Sequence, residues 1–459
     1  MSSDDPILRH FYIGGENLLG VDPAEEGGEA QAEAWQEERL SDIRIRIGTL
    51  LKAETVSFLL GAGASVDCGG QLIGSIPIAV ERRLHEEGIS GGASPRVRRW
   101  LRVFYLAVRR CGGEGAPNSR EAVVERRKAL AEDDPAALKV NLEELLALLH
   151  RWLAAIGENG TRLRLDGTPT VDASLKDLET CIGSATRALA RTCDLPAAGA
   201  DAGLRAFKIF VRKVLTRPLN LKRVNVFTLN YDTLVEQAAD AEGVVLLDGF
   251  VGTQRRVFRP ESYEQDLYFP AETTEGRVHR FDRVLHLYKL HGSITWVAEA
   301  PSLDNPYGVR TRTFDPRATE PLLIYPTPAK SGEALGMPYA ELFRRFATAL
   351  VRPQSVLFVI GYGFGDEHVN AIIRQALAVP SFTLVIVDPA PQSEFVQSLR
   401  EQDDQRVWIV EGSGLGTFDR FVSQVLPDLR DEDVRKKVLA TRRALDPETR
   451  GEGGPEDGD

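Results

Sequence analysis

The chain has 459 residues, 43% hydrophobic and 27% charged, with a formal net charge of −11. That balance suits a large folded core and excludes a chain too polar to bury one. The acidic excess argues against broad, non-specific binding of nucleic acid, which depends on neutralising phosphates.

Residues 1–54 open with a strand-like HFYIGG, pass through the acidic stretch AEEGGEAQAEAWQEERL, and end in SDIRIRIGTLLKAE. In the last of these, Ile43, Ile45, Ile47, Leu50 and Leu51 predict an amphipathic helix beside the first strand. The start, MSSDDPILRH, lacks the basic-then-apolar pattern of a leader, and no apolar run reaches the roughly 18–20 residues a bilayer requires. The expectation is a cytoplasmic protein without a membrane partner.

At residues 55–60, TVSFLL reads as a buried strand that stops at Gly61-Ala62-Gly63-Ala64-Ser65. A strand running through Gly-x-Gly into a helix presents backbone N–H groups with no Cβ in the way, a geometry suited to phosphate. Ser65 adds a hydroxyl. The full Gly-x-Gly-x-x-Gly fingerprint is not present, and a purely structural βα turn is the competing reading.

Residues 76–220 are dominated by Leu, Ala, Arg and Glu at helical spacing, with breaks at CGGEGAPNS and ENGTRLRLDGTPT. Leu142, Leu145, Leu146 and Leu149 form one face, and Asn141 ahead of Glu143 and Glu144 predicts a capped helix start. The four cysteines, Cys68, Cys111, Cys181 and Cys193, stand far apart with no CxxC pair, so neither a zinc knuckle nor a disulfide framework is indicated.

From residue 221 short β-rich runs return: RVNVFTLN, GVVLL, RVLHLYKLH, PLLIY, SVLFVIGYG, FTLVIVD and QRVWIV. Helical segments lie between several of them. The fold class expected is α/β: a Rossmann-like parallel sheet with helices on both faces and a large helical insertion. The boundaries expected are an acidic N-terminal segment at 1–54, the Rossmann-like domain at 55–75 and 221–425, the insertion at 76–220, and a C-terminal helix with a solvated acidic tail at 426–459.

Polar residues at the ends of these strands are candidate site groups, because ligands of open α/β sheets bind at carboxyl strand ends. Thr228, Asn230 and Asp232 end one strand. Asn230 offers a donor and an acceptor; Asp232 either serves the site or caps the next helix. His291, before Gly292 and Ser293, ends another and titrates near neutrality. His286, inside that strand, reads as structural. Gly361, Gly363 and Gly365 form a second glycine-rich turn. Asp366 caps a helix or takes a sugar hydroxyl, and Asp388 binds a ribose or makes a turn before Pro389.

In this order, GAGAS, TLNYD, KLHGS and GYGFGDEH resemble the sirtuin-like superfamily, and its bacterial sirtuin-like branch more than the protein deacetylases. The resemblance covers roughly residues 50–75 and 221–415. It implies an NAD site. Gly61, Ala62, Gly63, Ala64 and Ser65 would hold the cofactor phosphates, with Thr228 in the segment beside them. Asn230 would stand beside the nicotinamide ribose, and His291 would be the active histidine. Gly361 and Gly363 would contact the adenosine side, with Asp366 and Asp388 as further cofactor contacts. Asn230, His291 and Asp232 are the catalytic candidates. The deacetylases carry a four-cysteine zinc module after the His-Gly segment; here no cysteine follows Cys193, and their GIPDFR segment is replaced by GGQLIGSIPIAVERRL. No metal is therefore expected. Similar zinc-free proteins of bacterial antiphage systems hydrolyse NAD, so the function implied is an NAD glycohydrolase that depletes the infected cell. The same resemblance implies a homo-oligomer and, as partner, a HerA-type ATPase or a nucleic-acid-sensing defence protein. The alternatives are a non-hydrolytic NAD or ADP-ribose sensor, a regulatory assembly subunit, and a deacylase or ADP-ribosyltransferase.

Overall fold

The computed structural model describes residues 9–19, 29–89, 96–131, 138–159, 162–165, 171–195, 201–269, 279–315, 322–324 and 336–430. The acidic tail expected at the C-terminus lies outside the described residues, as does part of the acidic N-terminal stretch.

The chain begins with the hairpin β1 (His10–Ile13) and β2 (Glu16–Asn17), followed by helix α1 (Glu29–Leu50) and β3 (Thr55–Leu60). Next come α2 (Ile76–Gly88), α3 (Arg99–Arg110), α4 (Arg120–Ala131) and α5 (Leu142–Asn159). The hairpin β4 (Arg162–Leu165) and β5 (Val171–Ser174) leads into α6 (Leu175–Cys193) and α7 (Asp201–Val214). Then follow β6 (Asn225–Thr228), α8 (Leu234–Glu242), β7 (Val245–Leu247), β8 (Phe250–Val251), β9 (Arg256–Phe258) and β10 (Val284–Lys289). Then come β11 (Gly292–Ala298), β12 (Val309–Thr311), β13 (Leu322–Ile324), α9 (Tyr339–Leu350), β14 (Ser355–Ile360), α10 (Glu367–Leu377), β15 (Thr383–Val387), α11 (Glu394–Glu401), β16 (Val407–Glu411) and the short helix α12 (Phe418–Arg420).

Nine strands form the main sheet in the order β2-β1-β16-β15-β14-β3-β6-β10-β7. From β16 to β7 every pairing is parallel, and β1 and β2 extend the sheet antiparallel at the β16 edge. Alternate side chains of the two central strands enter two cores, as the strand period of two requires. Val56, Phe58, Leu60, Phe358 and Ile360 pack with Phe207, Phe210 and Leu234, under α1, α7 and α8. Leu59, Leu357 and Val359 pack with Phe346, Val369 and Val396, under α9, α10 and α11. Phe58 stacks on Phe358 with ring centroids 4.8 Å apart and meets Phe210 edge-on at 5.0 Å, tying the central strands to α7.

A third core joins α2 to α6, with Leu101, Phe104, Leu145, Leu149, Leu178 and Leu189 buried together. Ile294 of β11 belongs to it, and Tyr231 packs against it. The inserted helices therefore rest on the strand ends that carry the candidate site.

Three segments differ from the sequence expectation. Residues 322–324 of the run PLLIY leave the parallel sheet and join residues 292–298 in a second, five-stranded antiparallel sheet, ordered β13-β11-β12-β9-β8. Gly292, at φ +90°, turns the chain away from the line of β10. The stretch read as a loop at ENGTRLRLDGTPT contains β4 and one partner of a hairpin with β5. After the Gly61 turn the chain makes a 3₁₀ segment, Ala62–Cys68, in place of an α-helix.

Strand order sets the site. The chain passes from β3 outward to β6 on one side, and from β14 outward to β15 on the other. The carboxyl ends of β3 and β14 are thus the switch point at which the connections diverge, where open α/β sheets leave a crevice. Both glycine-rich turns sit there.

Candidate functional site at the strand ends

The two glycine turns pack directly on each other. A Cβ on Gly61 would lie 2.6 Å from the Gly361 carbonyl oxygen, and one on Gly63 would lie 2.7 Å from the Gly361 Cα. Gly361 has φ +65°, and a Cβ there would fall 2.5 Å from the Ala64 nitrogen. The Gly63 N–H donates to the Gly361 carbonyl at 2.8 Å, Gly61 donates to Ile360 at 2.9 Å and Ala64 to Gly61 at 3.0 Å. These three amides, read from the sequence as a phosphate cradle, are spent inside the protein in this arrangement. The close approach of two turns accounts for Gly61, Gly63 and Gly361. Gly363 and Gly365 are different: a Cβ at either would meet nothing within 4 Å. Phe364, between them, has φ +55°, and the Asn370 side chain fixes the turn by donating to the Phe364 carbonyl at 2.9 Å.

Alanine at Gly361 is accordingly expected to destabilise the fold by about 1–3 kcal/mol, through positive φ and backbone collision together. Gly363→Ala should cost less than about 0.5 kcal/mol. Urea unfolding of the two variants checks this; equal losses would contradict the packing of turn on turn.

Asn230 follows β6 and is half-buried. Its amide nitrogen donates to the Gly61 carbonyl at 2.9 Å and to the Ser65 hydroxyl at 3.0 Å. Ser65 Oγ in turn donates to Asp232 Oδ2 at 2.7 Å. Asp232 Oδ1 accepts the Leu234 N–H at 3.1 Å, at the start of α8. Asp232 thus anchors Ser65 and serves the helix start, and it acts on the strand ends through Ser65. Thr228 Oγ1 donates to the Leu60 carbonyl at 3.2 Å and accepts the Asn230 N–H at 3.0 Å. It locks the turn that aims Asn230.

The next strand end carries His291. Leu290 N–H donates to the Thr228 carbonyl at 2.9 Å and Ile294 N–H to the Tyr231 carbonyl at 3.1 Å, so the turns bearing Asn230 and His291 are neighbours. The His291 side chain is 7% exposed. Nε2 lies 3.1 Å from Asp366 Oδ2, and Nδ1 lies 3.3 Å from Glu143 Oε1. Burial opposes charge on the ring, but hydrogen bonds to the Asp366 and Glu143 carboxylates outweigh it and raise the pKa to about 9. The ring is an imidazolium at neutral pH. Asp366 is held below the usual carboxylate range; burial works against this and the His291 hydrogen bond prevails. It also caps α10, accepting His368 N–H at 2.8 Å and Val369 N–H at 3.3 Å. The Tyr362 hydroxyl accepts the Asp366 N–H at 3.0 Å, joining this group to the second glycine turn.

Asp388, after β15, accepts the Ala390 N–H at 2.8 Å, and burial raises its pKa. That bond is the turn arrangement weighed from the sequence. Sequence reasoning did not find Glu143, because an acidic residue in the first turn of a helix is ordinary dipole chemistry. Nor did it find Lys289, buried at the end of β10, whose ammonium donates to the Asp232 carbonyl and to Glu236 Oε1 at 3.0 Å. A lysine inside an apolar strand run was the available signal. Cys68 is pushed up to about 11 and Cys193 to about 12, chiefly by burial, so both are thiols at neutral pH and poor nucleophiles.

A cavity of about 800 Å³ lies in the inserted part, lined in part by Arg110, Glu144, Arg151, Trp152 and Arg164. Among the described residues no group of three or more His, Cys, Asp or Glu is placed to hold a metal. Among the same residues no helix is long and apolar enough to cross a membrane.

The family model for the SIR2-like domain matches residues 224–409. No curated protein matches the chain. A similar solved structure is a Sir2 homologue, a serine-to-alanine mutant in complex with ADP-ribose; it shares 11% identity at a TM-score of 0.27, with 79% of this chain and 95% of that chain covered. The family match begins just before β6, contains Asn230, His291 and the Gly361 turn, and shows that the chain carries a sirtuin-like domain.

Proposed function

We propose that the chain is an NAD hydrolase that cleaves the bond between nicotinamide and ribose at the ends of β3, β6, β10 and β14. The observation that carries this reading is Asn230. Gly61 and Ser65 occupy its amide nitrogen, so the amide oxygen is a fixed acceptor at the strand ends. Such an acceptor can hold a ribose hydroxyl or orient an attacking water. Nicotinamide leaves a positively charged ring as a neutral molecule, so the leaving group needs no strong acid. Positive charge grows on the ribose, and Asp366 supplies a carboxylate beside the histidine to favour it. His291 hydrogen-bonds a ribose hydroxyl and takes a proton from the nucleophile once its ring is neutral. The open backbone at Gly363 and Gly365 leaves room for a dinucleotide to approach, and Ser65 is held through Asp232 close to the first turn.

In the antiphage setting that the resemblance implies, NAD loss is the output. Assembly of copies, or a HerA-type or nucleic-acid-sensing partner, is then the trigger. The second reading, a sensor that binds NAD or ADP-ribose without cleaving it, is favoured by one observation: both ring nitrogens of His291 are engaged by carboxylates.

Incubating the full chain with NAD, alone and with candidate partners, and resolving the products by chromatography tests the proposal. Nicotinamide together with ADP-ribose or its cyclic form is expected. Saturable binding of NAD that is recovered intact under every condition would favour the sensor.

A further inference from the structure

His291 is a candidate group of the site that a side chain from the inserted helices reaches directly. Glu143 lies in the first turn of α5. The Asn141 side chain fixes that turn by accepting Glu143 N–H at 2.9 Å and Glu144 N–H at 3.4 Å. Leu145, Leu146 and Leu149, on the same helix, are buried in the third core. The Glu143 carboxylate is therefore aimed by a helix anchored in the third core. It is 37% exposed, whereas the ring it meets is 7% exposed. Water reaches the carboxylate far better than it reaches the imidazole, so the contact can be released by a small displacement of α5.

We propose that Glu143 is a positioning residue that holds His291 away from the nucleotide, so that α5 must withdraw before the histidine can serve a ribose. The proposal rests on the NAD-hydrolase reading for its consequence in turnover, but not for the contact itself. With Glu143 bonded to Nδ1 and Asp366 to Nε2, neither nitrogen is presented to a sugar hydroxyl. Aromatic rings also pack around the imidazole. Phe343 of α9 stands 6.2 Å away, ring to ring, and His368 of α10 packs on Phe343 at 4.6 Å. The Tyr362 hydroxyl faces Asp366 and is itself pushed upward, first by burial and also by the Asp366 and Glu143 charges. The ring thus sits between two carboxylates, which keep its proton on through neutral pH. Removing one of them lowers the pH at which the ring becomes neutral and able to accept a proton.

The test uses the full chain with Glu143→Gln, and Glu144→Gln as the neighbouring control. Titration of His291 by nitrogen-15 NMR, assigned with His291→Gln, should show a midpoint near 9 in the wild type. The midpoint should be lower by at least about one pH unit in Glu143→Gln and unchanged in Glu144→Gln. NAD should bind Glu143→Gln at least about tenfold more tightly, because the closed population no longer reduces apparent affinity. Nicotinamide release at pH 7 should rise at least about tenfold, with the rising limb of the rate moved toward acid. Glu143→Asp should restore part of the wild-type titration. An unchanged His291 midpoint and unchanged NAD affinity in Glu143→Gln would overturn the proposal. A shifted midpoint and tighter NAD binding without nicotinamide release in any variant would support the clamp and overturn the hydrolase reading alone.

Discussion

Alanine at Asn230 is expected to lower nicotinamide release by at least about 10²-fold, the scale on which a positioned polar group acts. The same side chain holds the Gly61 carbonyl and the Ser65 hydroxyl, and in the proposed reaction its amide oxygen would accept from the ribose or a water. Truncation removes the acceptor and unties the Asp232–Ser65 chain from the first glycine turn. The loss should fall mainly on kcat, since Asn230 bonds the first glycine turn and the proposed path of the dinucleotide runs beside the Gly361–Gly365 turn. Thermal unfolding separates this from misfolding: Asn230→Ala should melt within a few degrees of wild type, the effect of losing about 1 kcal/mol from a partly exposed side chain. A rate near wild type would remove Asn230 from the chemistry. His291→Ala should lose a similar factor, measured under the conditions that give nicotinamide release from the wild type.

Alanine at Arg126 is expected to have the largest effect on stability, about 3–5 kcal/mol in chemical unfolding. Arg126 Nε and Nη2 grip the two oxygens of Glu81 at 2.9 and 2.8 Å, and Glu81 is fully buried. The Tyr105 hydroxyl donates to the same carboxylate at 2.5 Å, and His85 bonds that hydroxyl. Removing the guanidinium leaves a buried carboxylate with one neutral donor, and the inserted core around it should open first. Burial, aided by Arg126, lowers the His85 pKa to about 4. A group depressed in the folded state stabilises above its unfolded value and loses that contribution as pH falls. The wild-type inserted core should therefore weaken between about pH 6.5 and 4, a slope absent from His85→Gln. A loss below about 1 kcal/mol in Arg126→Ala would show that the cluster does not hold the helices together.

Much of the sheet is legible in the sequence because TVSFLL and SVLFVI are buried on both faces, and unbroken apolar runs of that length announce central parallel strands. The Asn141 cap is also legible, since a side-chain acceptor two residues before an acidic pair serves only one geometry well. The second sheet is not. Its strands are two to seven residues long with mixed polarity, and its longest, β11, leaves the line of β10 at a left-handed glycine, Gly292, whose φ does not show in the residue type. At the site, the sequence singles out the residues and leaves their partners hidden. Gly61 and Gly361 lie 300 residues apart in the chain, and only the fold shows that each explains the other. Glu143 reaches His291 across 148 positions and two cores, a contact that no local spacing encodes. Asp366 illustrates a different limit. The sequence allows it two uses, and its two oxygens divide the work: one caps α10 and the other bonds His291.

The most direct measurement is a crystal structure of the full chain with ADP-ribose bound. The diphosphate should cross the ends of β3 and β14 beside the Gly361–Gly365 turn, with the terminal ribose within hydrogen-bond distance of the Asn230 amide. ADP-ribose seated instead in the cavity beside Arg151 and Trp152, with nothing at the strand ends, would contradict the account.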